Sequence, residues 1–355
     1  FKKEYPITLE MASQKINKTG MGLAHYAALH DAVNTITQLV ALNSNLLEQA
    51  DNGGMTPLHF AAMYGHVAVI KVLKKAGVDF YQTNRNGMTV VHYAARFGHE
   101  QLMTELVNMG LNLQQADNNG MKPIHVAAMS GHVAVIAVLK KAGIDLKQAD
   151  NRGMTPAHVA AWHGQSEVLK ALSDMGVDLN QADRNAMTPA HVAAWHGESE
   201  ALKALADMKI DLNQPDSDGK TPAYYAAQNG HAKAITALAN AGVDLNQIDK
   251  HGKTLAYYAV AHRNIRVINA LANAGVTSMV YMKRSSLMIL ALFATYLLAS
   301  NNKLDKFFLS NLTVPKIIPT VAIGAAGLLL AHCFFKKDTK QNEDLSIASP
   351  TNNVT

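Results

Sequence analysis

Cysteine is almost absent from the sequence, which has one, Cys333, among its 355 residues. A single thiol excludes intrachain disulfide bonds and cysteine-rich zinc sites, and it is typical of a protein from a reducing compartment. Charged residues are also few, at 17% of the chain, and the net charge of +5 does not by itself indicate nucleic-acid binding. The first residues, from Phe1 to Lys18, have no apolar segment of the kind found in a signal peptide.

Motifs of the common enzyme classes are missing as well. The sequence has no HExxH, no GxSxG and no paired CxxC. Gly219-Lys220-Thr221 and Gly252-Lys253-Thr254 are similar to the end of a phosphate-binding loop, but Gln214 and Gln247 stand where its first glycine is required. Cys333 lies inside an apolar run, which disfavours a reactive thiolate. We therefore expect no catalytic residue, no cofactor and no metal site.

What the sequence does have is a repeat of 33 residues. The segment DNGGMTPLHFAAMYGH starts at Asp51 and recurs as DNRGMTPAHVAAWHGQ from Asp150 and as DRNAMTPAHVAAWHGE from Asp183. A degenerate first copy starts one residue out of register, at Asn17. Eight copies fill residues 17–276, and the first positions of copies two to eight are Asp51, Asn84, Asp117, Asp150, Asp183, Asp216 and Asp249. Such regular spacing predicts a row of like structural units.

Each copy has the start and stop signals of two short helices. Thr56 is suited to cap a helix, and Pro57 follows at the first helical position, where a missing N–H costs nothing. Paired alanines allow another helix to approach closely, Gly65-His66 breaks the chain, and Gly77 ends the second helix. A unit of this size cannot bury its own apolar face, so it must stack against its neighbours. The sequence predicts an all-α repeat solenoid.

The TPLH-x-AA-x-x-GH core, followed by a second helix that ends in glycine, resembles the ankyrin repeat in length and motif. The resemblance implies L-shaped helix–turn–helix units with β-hairpin-like fingers, and a concave face formed by the fingers and the first helices. It also implies binding of other proteins rather than catalysis. Four glycine positions of the pattern are changed, to Asp31, Ala186, Lys209 and Arg263. If the positions of Ala186 and Lys209 need a positive φ, each change costs on the order of 1 kcal/mol. Asp31 and Arg263 belong to the first and last copies, where atypical residues are expected.

One histidine recurs at the same repeat position in six copies. Neighbouring members are a full repeat apart, so two of them cannot share a zinc ion, whose bonds to nitrogen are about 2 Å long. The resemblance implies structural hydrogen bonds for this residue instead. Tyr224 and Tyr257 replace it in the last two copies, and the six histidines are His25, His59, His92, His125, His158 and His191.

The resemblance places partner contacts on the fingers and on the two residues after the paired alanines. Methionine and tryptophan dominate these positions in the central copies, and both are common at protein interfaces. We hypothesise that they form a strip that binds an apolar or amphipathic helical segment of a partner. Two alternatives are that the methionines pack against neighbouring fingers, and that the tryptophans are alike because their copies are recent duplicates. The predicted protein-binding residues are Met55, Met63, Tyr64, Met88, Arg96, Phe97, Met121, Met129, Met154, Trp162, His163, Met187, Trp195 and His196.

The composition changes after the repeats. Residues 317–335 are 19 residues without a formal charge, about 28 Å as a helix, and residues 285–300 form a shorter apolar run. Lys283-Arg284 and Lys336-Lys337 flank the two runs and favour a cytosolic location for both flanks. One span, or helices of a small soluble domain, are the alternatives. The expected organisation is a flank at 1–16, the array at 17–276, a linker at 277–284, transmembrane helices at 285–300 and 317–335 with a loop at 301–316, and a disordered tail at 336–355.

These features together predict a membrane-anchored scaffold. The array would face the cytosol and bind an unknown protein, while residues 285–335 would contact the lipid bilayer. No nucleic acid is expected, and a membrane-anchored array of this kind is similar to bacterial effector proteins. Because the sequence begins with Phe1, an alternative is that the array selects substrates for a catalytic domain that lies upstream.

Overall fold

The computed structural model describes residues 7–276. Within them a short helix, α1, precedes eight consecutive pairs of helices, each made of an inner helix followed by an outer helix. The helices are α1 (Leu9–Ser13), α2 (Leu23–Leu29), α3 (Val33–Leu42, followed by a 3-10 turn, Ser44–Leu47), α4 (Pro57–Met63), α5 (Val67–Lys75), α6 (Val90–Arg96), α7 (Glu100–Asn108), α8 (Pro123–Ser130), α9 (Val133–Lys141), α10 (Pro156–Trp162), α11 (Ser166–Asp174), α12 (Pro189–His196), α13 (Ser199–Asp207), α14 (Pro222–Gln228), α15 (Ala232–Asn240), α16 (Leu255–Ala261) and α17 (Ile265–Asn273). The predicted solenoid of eight helix–turn–helix units is confirmed.

The pairs stack in a row, because each inner helix packs against the next inner helix and each outer helix against the next outer helix. The paired alanines of α4, Ala61 and Ala62, are fully buried in the inner layer. In the outer layer α5 buries Val69, Ile70 and Leu73. Stability therefore comes from a series of interfaces between neighbours rather than from one central core.

The repeated histidine joins each unit to the next. In the second repeat, the Nδ1 atom of His59 accepts the backbone N–H of Thr56 at 3.1 Å, and its Nε2 atom donates to the carbonyl oxygen of Met88, in the following finger, at 3.1 Å. The same bond to the next repeat recurs at the other five positions. Since both ring nitrogens are engaged, neither is available to a metal ion. Burial lowers the pKa of His59 from 6.5 to about 4, so its imidazole is neutral near pH 7.

Tyr224 performs the same linking role by different chemistry. Its hydroxyl donates to the carbonyl oxygen of Lys253, in the next finger, at 3.0 Å, and also contacts the carbonyl of Gln247. A phenol has no equivalent of the imidazole Nδ1, so the helix-capping half of the histidine's role is lost. The hydroxyl of Thr221 is buried without a hydrogen-bond partner, whereas the equivalent hydroxyl of Thr56 lies 2.9 Å from the Nδ1 atom of His59.

The fingers are hydrogen-bonded turns rather than the β-hairpin-like elements we expected. In the second finger, the Oδ1 atom of Asp51 accepts the N–H groups of Gly53 and Met55, each at 2.8 Å, and the N–H of Asp51 closes the turn on the carbonyl of Met55 at 2.8 Å. A turn of five residues leaves no room for a strand ladder. Within residues 7–276 the pairing that remains is two isolated bridges, Lys15 to Gly22 and Ile248 to Thr254.

Between residues 7 and 276, four residues other than glycine occupy the left-handed region, at positions where the repeat normally has glycine. The φ angles are 52° for Asp31, 61° for Ala186, 59° for Lys209 and 56° for Arg263. The positive φ considered for Ala186 and Lys209 is confirmed, and Asp31 and Arg263 have the same conformation.

Returning glycine to two of these positions is expected to stabilise the array. Ala186→Gly and Lys209→Gly should each raise the free energy of unfolding by about 0.5–1 kcal/mol, because relief of left-handed strain exceeds the extra flexibility that glycine adds to the unfolded chain. Urea unfolding monitored by circular dichroism measures the change. Gly176→Ala is the matched control, since Gly176 has a φ of +84° with open space around it and should lose stability. A loss of stability in both glycine variants would contradict the strain argument.

The predicted linker, both predicted transmembrane helices, the loop between them and the tail all lie outside the described residues, as does the start of the N-terminal flank. Among the helices of residues 7–276, none has the length and apolar character needed to cross a bilayer.

Candidate functional site

The methionines of the fingers are largely hidden from solvent. Met55, Met88, Met154 and Met187 are buried and between 5% and 9% exposed, and Met121 is half-buried. In the centre of the array, Met154 and Met187 form one apolar cluster with side chains of the inner helices. The cluster consists of Met154, Val159, Met187, Val192 and Tyr225, with Met121, Met129 and Trp162 packed against it. These methionines therefore lie beneath the exposed side chains of the inner-helix ends, and we call them the methionine floor. Such packing is the alternative to partner binding that the sequence left open for them.

The ends of the inner helices present aromatic side chains at the two positions that follow the paired alanines: Trp162 and Trp195 at the first, Tyr64 and Phe97 at the second. Tyr64, Phe97 and Trp195 are 51%, 42% and 44% exposed, and Trp162 is half-buried over the methionine floor. We call these four residues the aromatic strip. The other predicted residues flank it: Arg96 and His163 are exposed, and Met63, Met129 and His196 are half-buried.

Stacking holds the two tryptophans in place. The ring of Trp162 lies 4.3 Å from the ring of His196 with an interplanar angle of 18°, and the guanidinium of Arg152 lies 5.0 Å from the Trp162 ring. The ring of Trp195 stacks on Tyr225 at 5.0 Å and 14°. Because the rings are already ordered, a partner that binds them loses less conformational entropy.

His196 stacks as a neutral ring near pH 7. Burial, with the nearby His163 and His231, lowers its pKa below the ordinary value of 6.5. Burial also lowers the pKa of His163, against the opposing effect of Glu198. The central part of the strip is therefore apolar and uncharged apart from Arg152.

The tips of the fingers are exposed residues that the sequence reasoning did not single out. We call the first residue of each finger, such as Asp51 or Asn84, the finger-base residue. Its side-chain oxygen accepts backbone N–H groups of its own turn, so the next two residues face solvent. The sequence could have indicated them, because they are the two variable positions between the finger-base residue and the glycine position of the same turn. The tip pairs are Asn52-Gly53, Arg85-Asn86, Asn118-Asn119, Asn151-Arg152, Arg184-Asn185, Ser217-Asp218 and Lys250-His251.

Tips and inner helices form one surface, because Arg152 of a tip covers Trp162 of a helix end. We call this surface the finger face. It comprises the tip pairs, the methionine position and the residue after it in each finger, and the two residues that follow the paired alanines. All fourteen predicted binding residues belong to it, and the structure divides them into a methionine floor that is largely buried, an accessible aromatic strip and the residues that flank the strip.

Comparison with known proteins agrees with this geometry. A family model described as ankyrin repeats matches residues 7–84, 74–150, 143–216 and 191–280. The human transient receptor potential cation channel subfamily A member 1 is 41% identical over 58 residues, which are 16% of this chain and 5% of the channel. The chain thus matches only a small part of that relative's length.

Two solved structures share the fold. The human ASB11 ankyrin repeat domain superposes with a TM-score of 0.55 at 24% identity, over 62% of this chain and 98% of that domain. The ankyrin repeat domain of Bcl-3, described as a unique member of the IkappaB protein family, gives a TM-score of 0.51 at 22% identity, over 62% of this chain and 99% of that domain. With eight stacked helix pairs, the repeated TPLH-type motif and a family match over most of its length, the chain belongs to the ankyrin-repeat family.

Proposed function

We propose that the chain is a non-catalytic scaffold that binds a partner protein on its finger face, with the aromatic strip as the main contact. The observation that carries this proposal is the strip itself: Tyr64, Phe97 and Trp195 are exposed at equivalent helix ends. Exposed aromatic side chains that are grouped on one surface mark interaction sites, and tryptophan and tyrosine are enriched among the residues that dominate binding energy. Arrays of this family bind other proteins, which supports the same reading.

The central strip suits an apolar or amphipathic helical segment. The methionine floor beneath Trp162 is polarisable and adaptable, so it can adjust to side chains of different shapes. The stacked Trp162 and Trp195 supply rigid anchors above it. An amphipathic helix that lies across several repeats would place its apolar face on these anchors.

Removing both tryptophans should weaken partner binding without unfolding the array. For Trp162→Ala with Trp195→Ala we expect a loss on the order of 2 kcal/mol, about thirtyfold in Kd, since anchors of this kind dominate interfaces. The partner is first identified by proximity labelling with the full chain, and its affinity for each variant is then measured. Tyr81→Ala is the matched control, because Tyr81 is 54% exposed in the loop after α5, outside the finger face. Equal affinity of the double variant and the control would refute the proposal.

We further propose that residues 285–335 anchor the chain to a membrane, with the array on the cytosolic side. The support is the uncharged apolar run at 317–335 and the basic pairs Lys283-Arg284 and Lys336-Lys337 on either side of the apolar segments. Anchoring would raise the concentration of the bound partner at that membrane. Carbonate extraction of membranes from cells that express the chain tests the anchor, and protease accessibility of the array tests its side. Release of the chain by carbonate would refute the anchor.

A further inference from the structure

The charged side chains of the finger face, exposed at the tips and half-buried at Lys122, Lys220 and Lys253, are almost all of one sign. Among its arginines, Arg85, Arg152 and Arg184 lie on finger tips, and Arg96 lies at the end of α6. Four lysines add to them: Lys122, Lys220 and Lys253 at the bases of the fingers, and Lys250 on the last tip. Against these eight cations, the exposed carboxylate of the face is Asp218.

The finger-base aspartates offset this charge only in part, because each directs its Oδ1 atom into the turn of its own finger. Asp150, Asp216 and Asp249 are buried, and Asp51, Asp117 and Asp183 are half-buried. Asp150 is 4% exposed, and its Oδ1 atom accepts the N–H groups of Arg152 and Met154 at 2.8 and 2.9 Å. Asp249 is likewise 4% exposed and accepts the hydroxyl of Tyr258 at 2.6 Å. The cations are therefore the charged groups of the finger face that are most accessible to a ligand.

Exposed aspartates are instead found on the loops that leave the outer helices. In each such loop the carboxylate accepts the N–H of the residue two positions later, as Asp79 does from Tyr81 at 2.8 Å. Equivalent residues in four other loops are exposed as well: Asp145, Asp178, Asp211 and Asp244. Cations thus dominate the finger face, whereas exposed aspartates recur on the outer loops, where Lys147 and Lys209 also lie.

Several of the cations are free to bind a ligand. Within residues 7–276, Arg85, Arg96 and Arg184 form no ion pair with a carboxylate. Other cations are placed over aromatic rings of the same face, as the Nζ atom of Lys253 is at 4.8 Å from the ring of Tyr257. Free guanidinium groups favour carboxylates, which they bind through two parallel hydrogen bonds.

We propose that the partner segment bound by the finger face is an acidic amphipathic helix, whose apolar side chains cover the aromatic strip and whose carboxylates pair with Arg85, Arg96 and Arg184. This inference rests on the proposed binding function and specifies the chemistry of the partner. Neighbouring helices pack about 8–10 Å apart, so the distance from Arg85 in the third repeat to Arg184 in the sixth is about 30 Å. A helix of about 20 residues has that length.

The test uses two synthetic peptides of about 20 residues with the same leucine and phenylalanine positions. One peptide carries glutamate on its polar face and the other carries lysine. Binding to the full chain in detergent is followed by fluorescence anisotropy of a dye on the peptide. We expect the glutamate peptide to bind on the order of tenfold more tightly or better, and its affinity to fall as salt is raised. Equal or tighter binding of the lysine peptide would overturn the inference.

Charge-reversed variants make the test specific to this face. Arg85→Glu, Arg96→Glu and Arg184→Glu combined should reduce affinity for the glutamate peptide at least about tenfold. The matched control is Lys75→Glu, Lys141→Glu and Lys233→Glu combined, which makes the same change in net charge on exposed residues of the outer helices. Circular dichroism checks that both variants remain folded. Equal affinities of the two variants would overturn the inference.

Two further results would distinguish a failure of this inference from a failure of the proposed binding function. Loss of peptide binding in the double tryptophan variant, combined with no effect of the arginine reversal, would leave the binding function in place and overturn the acidic partner. Displacement of the glutamate peptide by single-stranded polyuridylate RNA at equal or lower concentration would also overturn it, because the face would then favour a nucleic acid.

Discussion

Replacing His158 with alanine is expected to cost the array about 3–5 kcal/mol of local unfolding free energy, because it combines a buried cavity with unpaired polar groups. The imidazole of His158 is fully buried. Its Nε2 atom donates to the carbonyl of Met187 at 2.9 Å, and its Nδ1 atom contacts the hydroxyl of Thr155 at 2.8 Å. Alanine leaves the N–H of Thr155 without a partner inside the protein, and it leaves the carbonyl of Met187 with the N–H of Asp183 as its remaining partner.

The effect should be localised, since each repeat contacts only its neighbours. His158 lies on α10 and bonds to the repeat that contains α12, and each of these helices carries a tryptophan, Trp162 and Trp195. Urea unfolding followed by tryptophan fluorescence therefore reports on the affected interface directly. His163→Ala, which truncates an exposed histidine of the same repeat, is the control and should change the midpoint little.

Tyrosine at the same position should recover part of the loss. Tyr224 shows that a phenol can reach the carbonyl of the next finger. The hydroxyl of Thr221, which precedes Tyr224 by three residues, then has no hydrogen-bond partner. We expect His158→Tyr to lie between the wild type and His158→Ala in stability. If the tyrosine and alanine variants unfold at the same urea concentration, the bond between repeats is not what stabilises this position.

The second large effect is a loss of stability in mild acid. Burial lowers the pKa of all six repeated histidines, including His25, His92, His125, His158 and His191, and that of His59 falls to about 4. In the unfolded chain these groups titrate near 6.5, so below that pH the unfolded state binds more protons than the folded one. Stability is then full above pH 6.5 and falls as the pH decreases through about 4. At pH 5, His59 alone accounts for a loss of about 2 kcal/mol.

Urea unfolding at pH 7.5 and at pH 5 measures this effect. The full chain should be markedly less stable at pH 5, and the variant His59→Tyr should show a smaller difference between the two pH values. His251→Ala serves as the control, because His251 is exposed on the last finger tip and its removal should leave the pH dependence intact. Equal stability at the two pH values would show that the buried histidines are not held neutral by the fold.

The parts of the fold that follow from contacts within one repeat could be predicted from the sequence. The cap at Thr56, the paired alanines and the 33-residue spacing determine where helices begin, approach and recur. The left-handed positions of Ala186 and Lys209 followed from the glycines found there in other copies.

What could not be predicted depends on neighbouring repeats. Met154 and Met187 looked like surface residues in one repeat, but in the stack they pack with Val192 and Tyr225 of adjacent inner helices. The stacking of Trp162 on His196 joins two repeats in the same way. The fingers were expected to be hairpin-like, whereas the carboxylate of Asp51 closes a turn too short for strands. A binding surface built from several repeats is thus less predictable than the repeats themselves.

The central claim, that a partner protein is held on the finger face, is tested most directly by a photo-crosslinking amino acid placed at single positions. Benzoylphenylalanine at Phe97 or at Trp195 should give the same crosslinked partner, because both positions lie on the aromatic strip. The same amino acid at Tyr81, which is more exposed than either and lies on an outer loop, should give none. Crosslinks formed at Tyr81 but at neither strip position would contradict the account.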